Sequence, residues 1–180
     1  MAVIIVGVGN VMYGDDALGP VFVEALKTCG YKGYAVTSDG GMFYIASLLE
    51  GKERAVFIDI LSEEYGKPGD VVKLRVVPSA LSEEEYAILA SRETSPHTVT
   101  PAHIVGFAYA SGLFDGEAMI LGIVSNNVGF AKPLSKTVRE SVGRLCSLLE
   151  SELGEEIDCR CIEERFKENA SKILDPRKAL

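Results

Sequence analysis

Two uninterrupted apolar runs constrain the fold of this chain most strongly. Residues 2–7 contain Val3-Ile4-Ile5-Val6, and residues 55–60 contain Ala55-Val56-Phe57-Ile58 before Asp59. A strand with one wet face alternates apolar and polar side chains. A run that is apolar throughout is buried on both faces, the habit of parallel strands covered by helices above and below. Shorter strand patterns occur at 34–37, 71–76 and 118–124. Helical patterns lie between them, at 18–27, 42–50, 83–90 behind a Ser82 cap, and 101–111 behind the Thr100-Pro101 pair. The longest helix is expected from a Ser135 cap to about 153, with Val138, Val142, Leu145, Leu149 and Leu153 on one stripe.

Strand–helix alternation of this kind predicts an α/β fold: a three-layer sandwich with a twisted, mainly parallel sheet and helices on both faces. The segment 61–81, with Gly66, Pro68 and Gly69, is expected to add an antiparallel edge hairpin. Residues 1–153 then form the domain, and the charged stretch 154–180 reads as a peripheral helix and tail.

Composition narrows the partners. Eighteen Lys and Arg against twenty-six Asp and Glu leave a formal charge of −8 over 180 residues, which disfavours nucleic acid or an anionic membrane surface. No apolar run reaches the ~18 residues of a membrane span. The first residues lack the basic region of a signal peptide, and the cysteines at 29, 146, 159 and 161 form no C-x-x-C pair. The expectation is a cytoplasmic protein with reduced thiols. Glutamine is absent and asparagine occurs only four times, a weak sign of a thermophilic source. With two histidines, a metal site built mostly from imidazoles is excluded, whereas carboxylates with one histidine remain open.

Chemistry is expected where parallel strands end. The first strand runs into Gly7-Val8-Gly9-Asn10 and then Asp15-Asp16 at the mouth of a helix. Gly7-x-Gly9 invites a dinucleotide reading, but Met12 replaces the third glycine and two aspartates occupy the position of a phosphate. Asp15 is expected to cap the helix. Asp16 stands out because Asp59 closes an apolar strand, where a carboxylate is costly unless paired, hydrogen-bonded or metal-bound. Asp39, in Ser38-Asp39-Gly40-Gly41, is delivered by the end of a third strand. Pro96 stiffens the chain before His97, whereas His103 falls inside a helix and reads as a surface or packing residue. Two carboxylates and one imidazole suit nickel, zinc, iron or a similar divalent ion. There is no G-x-S-x-G, H-E-x-x-H or P-loop pattern, and Cys146 reads as core.

Taken together, Gly7-Val8-Gly9-Asn10, Asp15-Asp16, Gly19-Pro20, Asp39-Gly40-Gly41, Asp59 and Ser95-Pro96-His97 resemble the endopeptidases that mature NiFe hydrogenases. The resemblance implies an α/β sandwich that removes a short C-terminal extension from the nickel-loaded hydrogenase large-subunit precursor. It implies metal-contacting roles for Asp16, Asp59 and His97. The nickel belongs to the substrate, although other divalent ions can occupy such ligands. Two routes stay open: the metal polarises the scissile carbonyl or activates a water, or it positions the peptide while Asp39 or Asp16 handles the proton. Water is the favoured nucleophile. The Gly40-Gly41 turn is assigned a role in loop movement on docking. The chain departs from the family after the strand at 118–124, where Ser125-Asn126-Asn127 replaces a Pro-Glu pair common among its members, and in its longer tail. Two competing readings are a nucleotide-binding α/β enzyme using the Gly7-x-Gly9 loop and a non-catalytic nickel-site chaperone.

Overall fold

The computed structural model describes residues 2–38, 41–77 and 100–173. Five strands form one sheet: β1 (Val3–Gly7), β2 (Tyr34–Thr37), β3 (Arg54–Leu61), β4 (Val71–Arg75) and β5 (Glu117–Val124), in the order β2-β1-β3-β5-β4. All neighbours are parallel except β4, which runs antiparallel to β5. The edge strand expected near 71–76 therefore exists. It does not form a hairpin on β3, because β5 inserts between the two and supplies a fully paired partner.

Side chains of the two central strands divide by parity, as a pleated strand requires. Ile5, Val56 and Ile58 pack with Leu18, Phe22 and Leu26 of α1 (Leu18–Thr28) and Val138, Val142 and Leu145 of the long helix on one face. Ile4, Val6, Ala55 and Phe57 pack with Met42, Ile45 and Leu49 beside α2 (Gly41–Leu48), and with Ile104, Val105 and Ala108 of α3 (Pro101–Ala110), on the other. The central residues of both strands, Ile4 to Val6 and Ala55 to Ile58, are consequently sealed from water, which is why these runs are apolar without alternation. The result is the three-layer α/β arrangement expected.

Local signals explain the helix ends. The Ser135 hydroxyl accepts the Val138 N–H and caps α4 (Lys136–Leu153), which ends at Gly154 in the left-handed conformation. The Thr100 hydroxyl accepts the His103 N–H, while His103 Nδ1 accepts the Thr100 N–H. His103 is thus part of a helix cap, a more specific role than a surface or packing residue.

At the chain's C-terminal side the charged stretch contains a helix packed on the domain, and one expectation is corrected. Asp158 caps α5 (Cys159–Lys172), and Ile162 and Phe166 of this helix are fully buried in the core cluster formed with α1 and α4. The thiols are not reduced: Cys29 pairs with Cys161, and Cys146 pairs with Cys159. Cys146 does lie in the core, but as half of a disulfide. The helix at 83–90 lies outside the described residues.

Candidate active site

In the strand order β2-β1-β3, the chain leaves β1 first to one side and later to the other, so a crevice opens at the carboxyl ends of β1 and β3. Gly7 is level with Ile58, and the ladder extends one step further through Val8 N–H to Ile58 O at 2.9 Å. Asp59 follows immediately. The loop from β1 turns back through a single 3-10 turn, Asp15–Ala17, that leads directly into α1. Asp16 on this turn and Asp59, on β3 just beyond the last pairing with β1, are thereby brought to the same crevice.

The glycines of the first loop serve this turn. Gly9 has φ 127°, and a Cβ there would lie 1.9 Å from the Asp16 carbonyl oxygen. A Cβ on Gly19 would lie 2.2 Å from Val8 O and 2.5 Å from Ile58 O. Space that a pyrophosphate would need is therefore taken by the protein's own backbone, and the Asn10 N–H already donates to Asp16 Oδ2 at 2.8 Å. This geometry counts against the dinucleotide reading, because an anion would displace the Asp16 carboxylate from an amide and meet the charge of that carboxylate close by.

The electrostatics of the pair are unusual. Part of Asp59 remains solvent-accessible as a residue, yet its carboxyl lies deep among protein atoms. That burial pushes the carboxyl up to about 8; the Ile60 N–H, donating to Oδ1 at 2.8 Å, pulls it down, and the negative charge of Asp16 pushes it up again. Two coupled carboxylates in such a place take up a proton or a cation readily. Among the described residues no three of His, Cys, Asp or Glu are grouped to hold a metal ion. The other members of the expected set, His97 and Asp39, lie outside the described residues, as do Ser95, Pro96 and Gly40.

The sign of the stability effect follows from this direction. The folded state keeps the Asp59 proton above the ordinary carboxyl value of 3.8, so the stabilisation is full below 3.8 and is lost as pH rises to about 8. Asp59→Asn mimics the protonated form. With a chelator present, the wild-type Tm is expected to fall across that window, and the variant is expected to lack this component and melt on the order of 5 °C higher at pH 8–9. Parallel Tm–pH curves for the two proteins would contradict the assignment.

The expectation that Asp15 caps the first helix is corrected: no side chain caps either the 3-10 turn or α1. Asp15 is fully buried and reaches across to Ser125, Asn127 and Ser135. The signal that finds this network is the polar triplet Ser125-Asn126-Asn127 at the end of β5, where an apolar strand delivers donors into the protein. Exposed apolar side chains flank the same loops: Val11 and Met12 on one, Val128 and Phe130 on the other. The two loops are joined by the Gly14–Val128 bridge and by the edge contact of Tyr13 with Phe130. Among the described residues, no cysteine is free to act as a nucleophile.

No protein-family model matches the chain. In sequence it is similar to hydrogenase 2 maturation protease from Escherichia coli (strain K12), with 24% identity over 145 residues covering 79% of this chain and 84% of that protein. In structure it is similar to the hydrogenase maturating endopeptidase HybD from E. coli, with a TM-score of 0.66 and 23% identity, covering 87% of this chain and 97% of that one. A hydrogenase 2 maturation peptidase from a Thaumarchaeota archaeon matches with a TM-score of 0.58 and 28% identity, covering 87% of this chain and 100% of that one. The resemblance to hydrogenase maturation proteases read in the sequence extends to the whole fold.

Proposed function

We propose that this chain, which shares sequence and fold with the hydrogenase maturation proteases, is an endopeptidase that removes a C-terminal extension from a nickel-loaded NiFe hydrogenase large-subunit precursor. The observation that carries the reading is the coupled pair Asp16 and Asp59 at the mouth of β1 and β3. Nickel arrives with the substrate. Asp16, Asp59 and His97 contact it and thereby sense that the precursor is loaded. The raised proton affinity of Asp59 means that cation binding and proton release are linked there: a substrate-borne cation takes over the charge compensation that the proton provides in the free enzyme. A water attacks the scissile bond, with Asp39 or Asp16 as the group that handles its proton. The reaction acts on an unassembled precursor, which we place in the cytoplasm. Structural disulfides are compatible with that compartment in hyperthermophiles, in line with the absence of glutamine.

The test is incubation with nickel-loaded precursor followed by mass measurement. Loss of a C-terminal fragment is expected, while nickel-free precursor stays intact. Asp16→Ala, Asp59→Ala and His97→Ala are each expected to lower the cleavage rate by about 100-fold or more with the fold retained. An intact precursor despite demonstrated binding would favour the non-catalytic chaperone instead.

A further inference from the structure

Asp15 is a fully buried carboxylate that the chemistry above does not use. Its Oδ2 accepts the hydroxyls of Ser125 and of Ser135, the latter at 2.7 Å; its Oδ1 accepts the Ser135 N–H at 2.6 Å and the Asn127 side-chain amide at 3.4 Å. Both hydroxyls donate to Asp15, and each hydroxyl oxygen accepts an N–H in its turn. Ser125 Oγ accepts the Asn127 N–H at 3.0 Å, and Ser135 Oγ the Val138 N–H at 3.2 Å, so each hydroxyl both donates and accepts within the network. The Asp15 N–H in turn donates to Asn127 O at 3.0 Å. One side chain therefore joins three segments: the turn Asp15–Ala17, the loop after β5 and the N-terminus of α4, where a negative charge also suits the helix dipole.

The turn needs such an anchor. It is three residues long, its N-cap is Gly14 without a side-chain cap, and it closes on itself through two bonds, Asp16 N–H to Tyr13 O at 3.4 Å and Ala17 N–H to Gly14 O at 3.1 Å. So short a 3-10 turn has too few internal bonds to set its own orientation. We infer that Asp15 is the positioning residue of the site: its hydrogen bonds to Ser125, Asn127 and Ser135 lock the turn in place and so hold the neighbouring Asp16 beside Asp59. This inference rests on the reading of Asp16 and Asp59 as the working carboxylates.

Asp15→Asn tests it. The substitution keeps the shape but, whichever way the amide is turned, sets the Nδ2 donor where a carboxylate oxygen accepted, leaving a buried hydroxyl or N–H unsatisfied. Two measurements are made on the full chain: kcat and KM for cleavage of nickel-loaded precursor, and amide exchange at Asn10, whose N–H is held by the Asp16 carboxylate. Val142→Ala, a buried truncation in α4, serves as a comparison for general destabilisation. Asp15→Asn is expected to lower kcat by about 10-fold or more with KM within about threefold, and to accelerate Asn10 exchange by about 10-fold, with Val142→Ala moving neither. Unchanged kcat and unchanged Asn10 exchange in folded Asp15→Asn would overturn the inference, as would equal losses in Val142→Ala. Should Asp15→Asn not fold, Ser125→Ala and Ser135→Ala, each removing one donor, are judged by the same two measurements. If the wild type leaves the precursor uncut, the endopeptidase reading fails, and Asn10 exchange alone decides the positioning role.

Discussion

Replacing Cys29 and Cys161 together by serine is expected to reduce the unfolding free energy by about 5 kcal/mol. The estimate comes from the chain entropy released when a loop of 132 residues is no longer closed in the unfolded state. The same relation gives about 3 kcal/mol for Cys146–Cys159, which closes only 13 residues. Serine is tolerable at 29 and 161 because both positions keep some solvent access, whereas Cys146 is fully buried and a hydroxyl there would add a separate penalty. Five kcal/mol is a large part of the stability of an ordinary domain. Denaturant titration of the double variant against the wild type checks it, and reductant, which opens both disulfides, extends the comparison. The midpoint should fall in the variant and on reduction, and the slope should rise because the uncrosslinked unfolded chain exposes more surface. Activity below the melting range should be unchanged, since Cys29 follows the far end of the 11-residue helix α1, about 16 Å of helix from the Asp16 turn. Identical midpoints in the two conditions would show that the disulfides add nothing.

That prediction concerns a feature the sequence hid. Four cysteines allow three pairings, and no spacing rule selects among them. Cys159 and Cys161 also sit in a charged stretch, where Ile162 and Phe166 at i, i+4 are too few to register as an apolar stripe until α1 and α4 supply the other side. By contrast, β1 and β3 were legible because burial on both faces leaves an uninterrupted apolar run, and the Thr100 and Ser135 caps because capping is local. Asp59 drew notice as a carboxylate at the close of an apolar run, although β3 continues past it to Leu61, and Asp16 as an acid beside the first helix. Asp15 was misread as a helix cap because its partners lie 110 to 120 residues away, beyond any local rule. The placement of β4 beside β5 was hidden for the same reason: pairing order is a property of the whole sheet, not of the 61–81 segment.

Gly9→Ala and Gly19→Ala should have the other large effects, and for different reasons. At Gly19 the backbone lies outside the left-handed region, so space alone is at issue: a Cβ would meet Val8 O at 2.2 Å and both Val8 N and Ile58 O at 2.5 Å. These are backbone atoms of two central connections and cannot rotate aside. Helix α1 must move away from the sheet, with an expected loss of about 3 kcal/mol or more and a Tm lower by roughly 6 to 12 °C. At Gly9 the added carbon meets the Asp16 carbonyl at 1.9 Å, and φ is also 127°. What must yield there is the short Asp15–Ala17 turn rather than the core, so cleavage should fall by about 100-fold while most of the stability remains. Gly154→Ala separates the two contributions. Its φ of 66° imposes backbone strain, but nothing lies within 4 Å of an added Cβ, so about 1 kcal/mol of stability should be lost with activity intact. A nucleotide site would show itself differently: the wild type would bind nucleotide and leave the precursor uncut, and Gly9→Ala would weaken that binding as the Asp16 turn shifts.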